Sequence, residues 1–117
     1  MNSRFSGFGV SKSSESITAY WVGGEIKERG TASADATSKP EQWSVSRVLI
    51  EPPESRNKGI GGKLLEMLKQ EVKDIGIKEL IVCPGGYDAD QVKQINFYEK
   101  HGFVKSTEDS ELLVCTL

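Results

Sequence analysis

The sequence predicts an α/β domain in which helices flank a mixed, mostly antiparallel sheet. Two stretches carry that expectation. Residues 60–75 place apolar side chains at Ile60, Leu64, Leu68, Val72 and Ile75, with Leu65 and Met67 widening the stripe. Glu66, Lys69, Gln70, Lys73 and Asp74 fill the other side, which is the spacing of an amphipathic helix. Strand candidates stand on both sides of it, "WSVSRVLIE" before and "ELIVC" after. A strand–helix–strand unit has parallel strands and a right-handed crossover, and the remaining strands are expected to pair antiparallel.

Taken in order, residues 1–16 are rich in serine and glycine and hold at most a short edge strand around Phe5–Val10. "SITAYWV" alternates as a strand, and Gly23-Gly24 signals a hairpin whose second strand would be "EIKERG". "TASADATSKPEQ" is small and polar, ends at a proline and reads as a loop. "WSVSRVLIE" is the next strand, stopped by Pro52-Pro53 because proline cannot donate to a ladder. After the first helix, Gly76 is placed to cap its end. "ELIVC" has the continuous apolar character of a buried parallel strand, and Pro84-Gly85-Gly86 break it. "DADQVKQINFYEKHG" forms a second helix with Asp88 or Asp90 as N-cap and Gly102 closing it. "FVKS" and "ELLVCTL" supply the last strands around "TEDS". The order contains no repeat and no linker, so residues 1–117 read as a single domain.

Composition narrows the function classes. A formal charge of −2 is too balanced for a nucleic-acid footprint. No apolar run approaches the ~20 residues of a membrane span, and the N-terminus lacks a signal peptide's apolar centre. The chain therefore reads as soluble and cytoplasmic. Cys83 and Cys115 lie in apolar runs and are expected as buried, reduced thiols. One histidine and no Cys-x-x-Cys argue against a metal site.

The segment "ESRNKGIGGKLLEML" raises the functional question. Glycine in a helix costs about 1 kcal/mol against alanine, yet Gly59, Gly61 and Gly62 open this one behind Arg56 and Lys58. A bound anion would compensate. A Walker A loop fails, because its required glycine and Ser/Thr positions hold Asn57 and Leu64. A dinucleotide fingerprint fails at Leu64. Arg/Gln-x-x-Gly-x-Gly/Ala fits, as Arg56-Asn57-Lys58-Gly59-Ile60-Gly61. Unpaired N–H groups at a helix start converge on one place, and the helix dipole favours negative charge there. Missing side chains at Gly59 and Gly61 let a diphosphate approach the backbone. A glycine-rich turn without ligand is the plain alternative.

Residues 48–104 resemble the GNAT superfamily of N-acetyltransferases in two places. "VLIEPPESRNKGIGGKLLEML" is similar to the family's acetyl-CoA pyrophosphate motif, and Asn96-Phe97-Tyr98-Glu99-Lys100-His101-Gly102-Phe103 to its "FYEKxGF" segment. The resemblance implies acetyl-CoA lying in a V where "SVSRVLIE" and "ELIVC" splay apart as a central parallel pair. It implies a pantetheine arm paired with the first of these strands and a backbone N–H near Leu49 or Ile50 holding the thioester oxygen. The pyrophosphate would meet N–H groups across Lys58, Gly59, Ile60, Gly61, Gly62 and Lys63, with Arg56 and Asn57 at the rim. Tyr98 would be the general acid, Gln91 a hydrogen-bond donor to the arm, and Glu51 a candidate base. Transfer would be direct, in a ternary complex, without Cys83 as nucleophile. His101 occupies the variable position of the motif and is expected to be exposed.

The acceptor is less legible. Family members begin with a strand and two helices that wall the acceptor site, and that wall is short here. An open site suits a protein lysine or N-terminus, or a small amine bound with a second subunit in a homodimer. Trp21 and Trp43 could line such a groove or belong to the core. A non-catalytic CoA-binding or interaction module on the same fold is the alternative.

Overall fold

The computed structural model describes residues 7–23, 28–51, 59–84, 89–109 and 111–117. Its strands are β1 (Gly7–Lys12), β2 (Ser16–Val22), β3 (Arg29–Ala36), β4 (Gln42–Glu51), β5 (Glu79–Val82), β6 (Val104–Lys105) and β7 (Leu113–Thr116). Helix α1 (Ile60–Asp74) links β4 to β5, and α2 (Ala89–Lys100) precedes β6. The sheet runs β1-β2-β3-β4-β5-β7-β6. Only β4 and β5 are parallel, so the mixed, mostly antiparallel α/β fold expected from the sequence is the fold observed.

Two expectations need correction at the N-terminal end. The strand expected around Phe5–Val10 is the full strand β1, paired with β2 from Gly7↔Val22 to Lys12↔Ile17. A turn at residues 13–15 joins them, closed by Ser13 N–H donating to the Ser16 carbonyl at 2.8 Å. Phe8 and Lys12 then face α1, where Lys12 meets Glu71 at 2.6 Å and Lys63 lies 4.6 Å from the Phe8 ring centroid.

The second correction is larger. The partner of β2 is Arg29–Ala36, not "EIKERG", and it takes up half of what reads as a loop. Gly24 and residues 25–27 of the expected hairpin lie outside the described residues. The alternation in β3 is one of size. Gly30, Ala32 and Ala34 point inward and are buried, and α1 packs directly over them. A Cβ at Gly30 would stand 2.5 Å from Ile50 Cδ1 and 3.0 Å from Leu64 Cδ1. Small residues are what this close approach demands, and they carry little hydropathy signal.

Leu64, Leu65, Leu68 and Val72 of α1 are fully buried against β2, β3 and β4. Ile75 ends the helix exposed, and Gly76 follows at φ 93° to reverse the chain, as expected of a C-terminal glycine. Trp21 and Trp43 are core residues, which excludes them from a groove. Cys115 is buried as expected, but Cys83 lies just past β5 and is exposed. In α2, Tyr98 is buried and Val92 stands exposed.

Tyr98 and Phe103 share one core cluster with the buried side chains of α1 and of the sheet, so both helices lie on one side. Among the described residues no helix covers the other face, where Thr18, Tyr20, Val22, Thr31 and Ser33 point outward. The tight packing of α1 on β3 gives a direct test. Ala32→Leu is expected to lower the unfolding free energy by about 1–3 kcal/mol, the usual effect of overpacking. Thr31→Val, one residue away on the uncovered face, is expected to stay within about 0.5 kcal/mol. Urea unfolding of the two variants measures both.

Candidate active site

The parallel pairing of β4 and β5 covers only Gln42↔Glu79, Trp43↔Leu80 and Ser44↔Ile81. Gln42 Nε2 donates to Glu79 Oε1 at 2.6 Å and fastens this end. Immediately beyond, the β3–β4 register jumps from Ala34↔Val45 to Ser33↔Arg47. Ser46 is therefore the extra residue of a bulge, and its hydroxyl donates to the Ser33 carbonyl at 3.3 Å. A bulge bends its strand and increases its twist. From Val45 to Leu49 no strand among the described residues pairs with the free edge of β4. A cleft of about 930 Å³ fills the gap. Val45 to Ile50 form one wall, Val82 and Cys83 lie at the end of β5, and the first turn of α1 and one side of α2 complete the lining.

The start of α1 opens into this cleft. Gly59, the N-cap, has φ 81° and no side-chain capping bond, and a Cβ there would meet nothing within 4 Å. Lys63 N–H donates to the Gly59 carbonyl at 3.1 Å, the first bond of the helix ladder. The N–H groups of Ile60, Gly61 and Gly62 precede that bond and have no acceptor among the described residues. The first turn also contains no acidic side chain, so the positive end of the helix dipole, about half an elementary charge, is left unneutralised by its own turn.

Of the residues expected to hold a diphosphate, Gly59, Ile60, Gly61 and Gly62 are together in the cleft. Lys63 is not brought there: its N–H is used by the helix and its ammonium lies over Phe8. Arg56, Asn57 and Lys58 fall outside the described residues, as does the Gln91 side chain. Leu49 and Ile50 line the cleft on β4. Glu51 does not line it, because the Arg29 Nε donates to its carboxylate at 3.0 Å across the true β3–β4 register.

Tyr98 is only 6% exposed and lines the cleft. Its ring stands edge-on to Phe97 and Phe103, with centroids 5.2 and 5.3 Å away. The backbone is fixed by the closing turn of α2, in which His101 and Phe103 N–H donate to the Tyr98 carbonyl at 2.9 and 3.1 Å. The hydroxyl has no hydrogen-bond partner among the described residues. Burial disfavours the phenolate and pushes the phenol above the ordinary tyrosine range, so Tyr98 is a proton donor rather than an anion.

His101, expected to be exposed in a separate loop, is drawn into the site instead. Its Nδ1 is 2.7 Å from Glu66 Oε2 on α1, and its side chain is 21% exposed. The ring packs on Gly62 so closely that a Cβ there would be 2.8 Å from Nε2 and 2.9 Å from Cε1. Lys69 Nζ donates to the His101 carbonyl at 2.6 Å and lies 3.3 Å from Glu66. Burial pushes the Glu66 carboxyl up, but hydrogen bonds from His101 and Lys69 outweigh it and hold the group below the usual range. The third glycine thus leaves room for an imidazole. Only the adjacency of α1 and α2 reveals that, and no sequence spacing encodes it. Among the described residues no cluster of His, Cys, Asp and Glu could hold a metal, and no helix is long and apolar enough to cross a membrane.

The fold recurs in known proteins. The PaiA N-acetyltransferase of Thermoplasma acidophilum, solved with coenzyme A, superposes with a TM-score of 0.69 at 18% identity, covering 88% of this chain and 62% of its own. The ribosomal-protein-S18-alanine N-acetyltransferase of Escherichia coli gives 0.67 at 16%, covering 90% and 71%. N-acetylglutamate synthase of Neisseria gonorrhoeae, solved with coenzyme A and L-arginine, gives 0.67 at 16%, covering 86% of this chain and 24% of its own. The chain thus spans less than two thirds of the length of the first and last of these. No curated protein sequence matches it. The family description "Acetyltransferase (GNAT) domain" matches residues 15–105, and so the parted strands, the glycine-opened helix and the aromatic second helix belong to a member of the GNAT acetyltransferase family.

Proposed function

We propose that this protein transfers the acetyl group of acetyl-CoA to an amine, by direct attack with both substrates bound. The observation that carries the reading is one continuous path. It begins at the unpaired N–H groups of Ile60, Gly61 and Gly62 and follows the free edge of β4 to the unpartnered Tyr98 hydroxyl. Those residues fit the cosubstrate: convergent N–H groups suit a diphosphate, and a strand edge suits an amide-bearing arm.

Acetyl-CoA supplies the activated acetyl thioester. The helix start holds the diphosphate, joined by Arg56 and Lys58, and the β4 edge aligns the arm, with Gln91 as a further donor. Main-chain N–H at Leu49 or Ile50 takes the thioester oxygen, so apolar side chains suffice on this wall. Tyr98 holds a proton on its phenolic oxygen and releases it to the departing sulfur. Glu51 pairs with Arg29 and does not line the cleft, and the attacking amine gives its proton to solvent.

A protein or peptide amine is the acceptor this architecture favours. Joining β1 to β2 through residues 13–15 places no helix over the sheet face beside the cleft, and among the described residues a bulky acceptor meets no helical wall there. The cysteines Cys83 and Cys115 are free thiols, which suits a reducing compartment, and we place the reaction in the cytoplasm.

Four outcomes are expected. Acetyl-CoA raises the melting temperature and mixed peptides release its thiol; millimolar acetyl-CoA moving neither would overturn the reading, and stabilisation without turnover on any amine would identify a CoA-binding module instead. Tyr98→Phe lowers kcat by about 10²–10⁴-fold, the range for loss of a general acid, with CoA affinity unchanged. Glu51→Gln shows none of the ~10²-fold or greater loss that removing a base produces. The alkaline limb of the pH profile follows from the direction of the Tyr98 shift. The active form is the protonated phenol, so activity falls only as pH rises above the ordinary tyrosine range, and Tyr98→Phe abolishes that limb.

A further inference from the structure

We propose that His101 binds the diphosphate of the cosubstrate, an inference that rests on the acetyl-CoA reading above. The imidazole is fixed on three sides. Glu66 takes Nδ1 at 2.7 Å, Gly62 lies against the ring, and Phe97 is tilted across it at a centroid distance of 5.1 Å. Lys69 secures the backbone by its bond to the His101 carbonyl.

This leaves Nε2 as the one nitrogen of the ring without a protein partner among the described residues, and it lies on the first turn of α1 beside the unpaired N–H of Gly62. The residue also lines the cleft. Glu66 follows Gly62 by one helical turn, so the same helix supplies both the seat for the ring and the anchor for Nδ1. With Nδ1–H donated to the Glu66 carboxylate, Nε2 of a neutral ring could only accept, so His101 holds a phosphate oxygen as the protonated ring, which donates from both nitrogens. Gly62 and Glu66 together hold an unpartnered nitrogen against the first turn of α1, on a residue that lines the cleft.

Because the chain has one histidine, the imidazole reports on itself without assignment. In long-range ¹H–¹⁵N spectra of the wild-type protein, dephospho-CoA is expected to move the Nε2 resonance, whereas pantetheine, which lacks the diphosphate, leaves it in place. By calorimetry, His101→Gln is expected to weaken dephospho-CoA on the order of tenfold, as for one hydrogen bond to a charged group, with pantetheine affinity unchanged. His101→Phe, which keeps a ring over Gly62, is expected to show the same selective loss. Ligand-free melting of each variant separates misfolding from lost contact, and the wild-type spectrum stands without any variant. Wild-type protein that binds dephospho-CoA with a stationary Nε2 resonance, or a variant losing both ligands equally, overturns the role of His101 alone. Wild-type protein that binds no dephospho-CoA overturns the acetyl-CoA reading as well.

Discussion

The pairing of β4 with β5 lasts for three rungs and then gives out, and the cleft exists because it does. Parallel strands held side by side along their whole length would leave no main chain open to a ligand. Here the Gln42–Glu79 bond closes one end, while the bulge at Ser46 turns β4 away at the other. Helix α1 must then start where β4 finishes, which directs its first N–H groups at the opening. α2 leans on the same turn through Phe97 and His101. Each component of the site thus follows from one interruption in hydrogen bonding.

Much of this was legible in the sequence, for reasons that can be stated residue by residue. Helix α1 and strands β2, β4 and β5 declare themselves by hydropathy, because each buries one face of large apolar side chains. Strand β3 does not. Gly30, Ala32 and Ala34 are buried as deeply as any leucine, but α1 lies so close that only small residues fit. A reading based on hydropathy sees such a strand as a polar loop. The same strand hides the Arg29↔Glu51 register, so by sequence alone Glu51 stands as a candidate base and its pairing with Arg29 is invisible.

The glycine motif was legible because its chemistry is main-chain chemistry and depends only on what is missing. Its flanks were not. Lys63 adjoins the motif in sequence, but a helix turns by about 100° per residue, which carries its side chain round to Phe8. His101 shows the reverse case. It stands far from Gly62 in sequence and touches it in space, with Glu66 between them as anchor. The three glycines therefore answer different demands. Gly59 supplies a left-handed N-cap, Gly61 sits at ordinary contact distance from Phe97 and Ile50, and Gly62 makes room for a ring.

A site made largely of backbone also explains how the two faces of this sheet divide the work. On the helical face, tight packing sets where the strand edge and the helix start lie, the two features on which the proposed recognition of an amide-bearing diphosphate rests. An amine acceptor has no such generic handle and must be selected by side chains near the mouth. In this chain the opposite face offers serines, threonines, Tyr20 and Val22 on a sheet that no described helix covers. Selection by an enclosed pocket is therefore not what this face provides. It is on this face, among the described residues, that the protein or peptide acceptor proposed above would be met by outward side chains of the sheet and not by a helical wall.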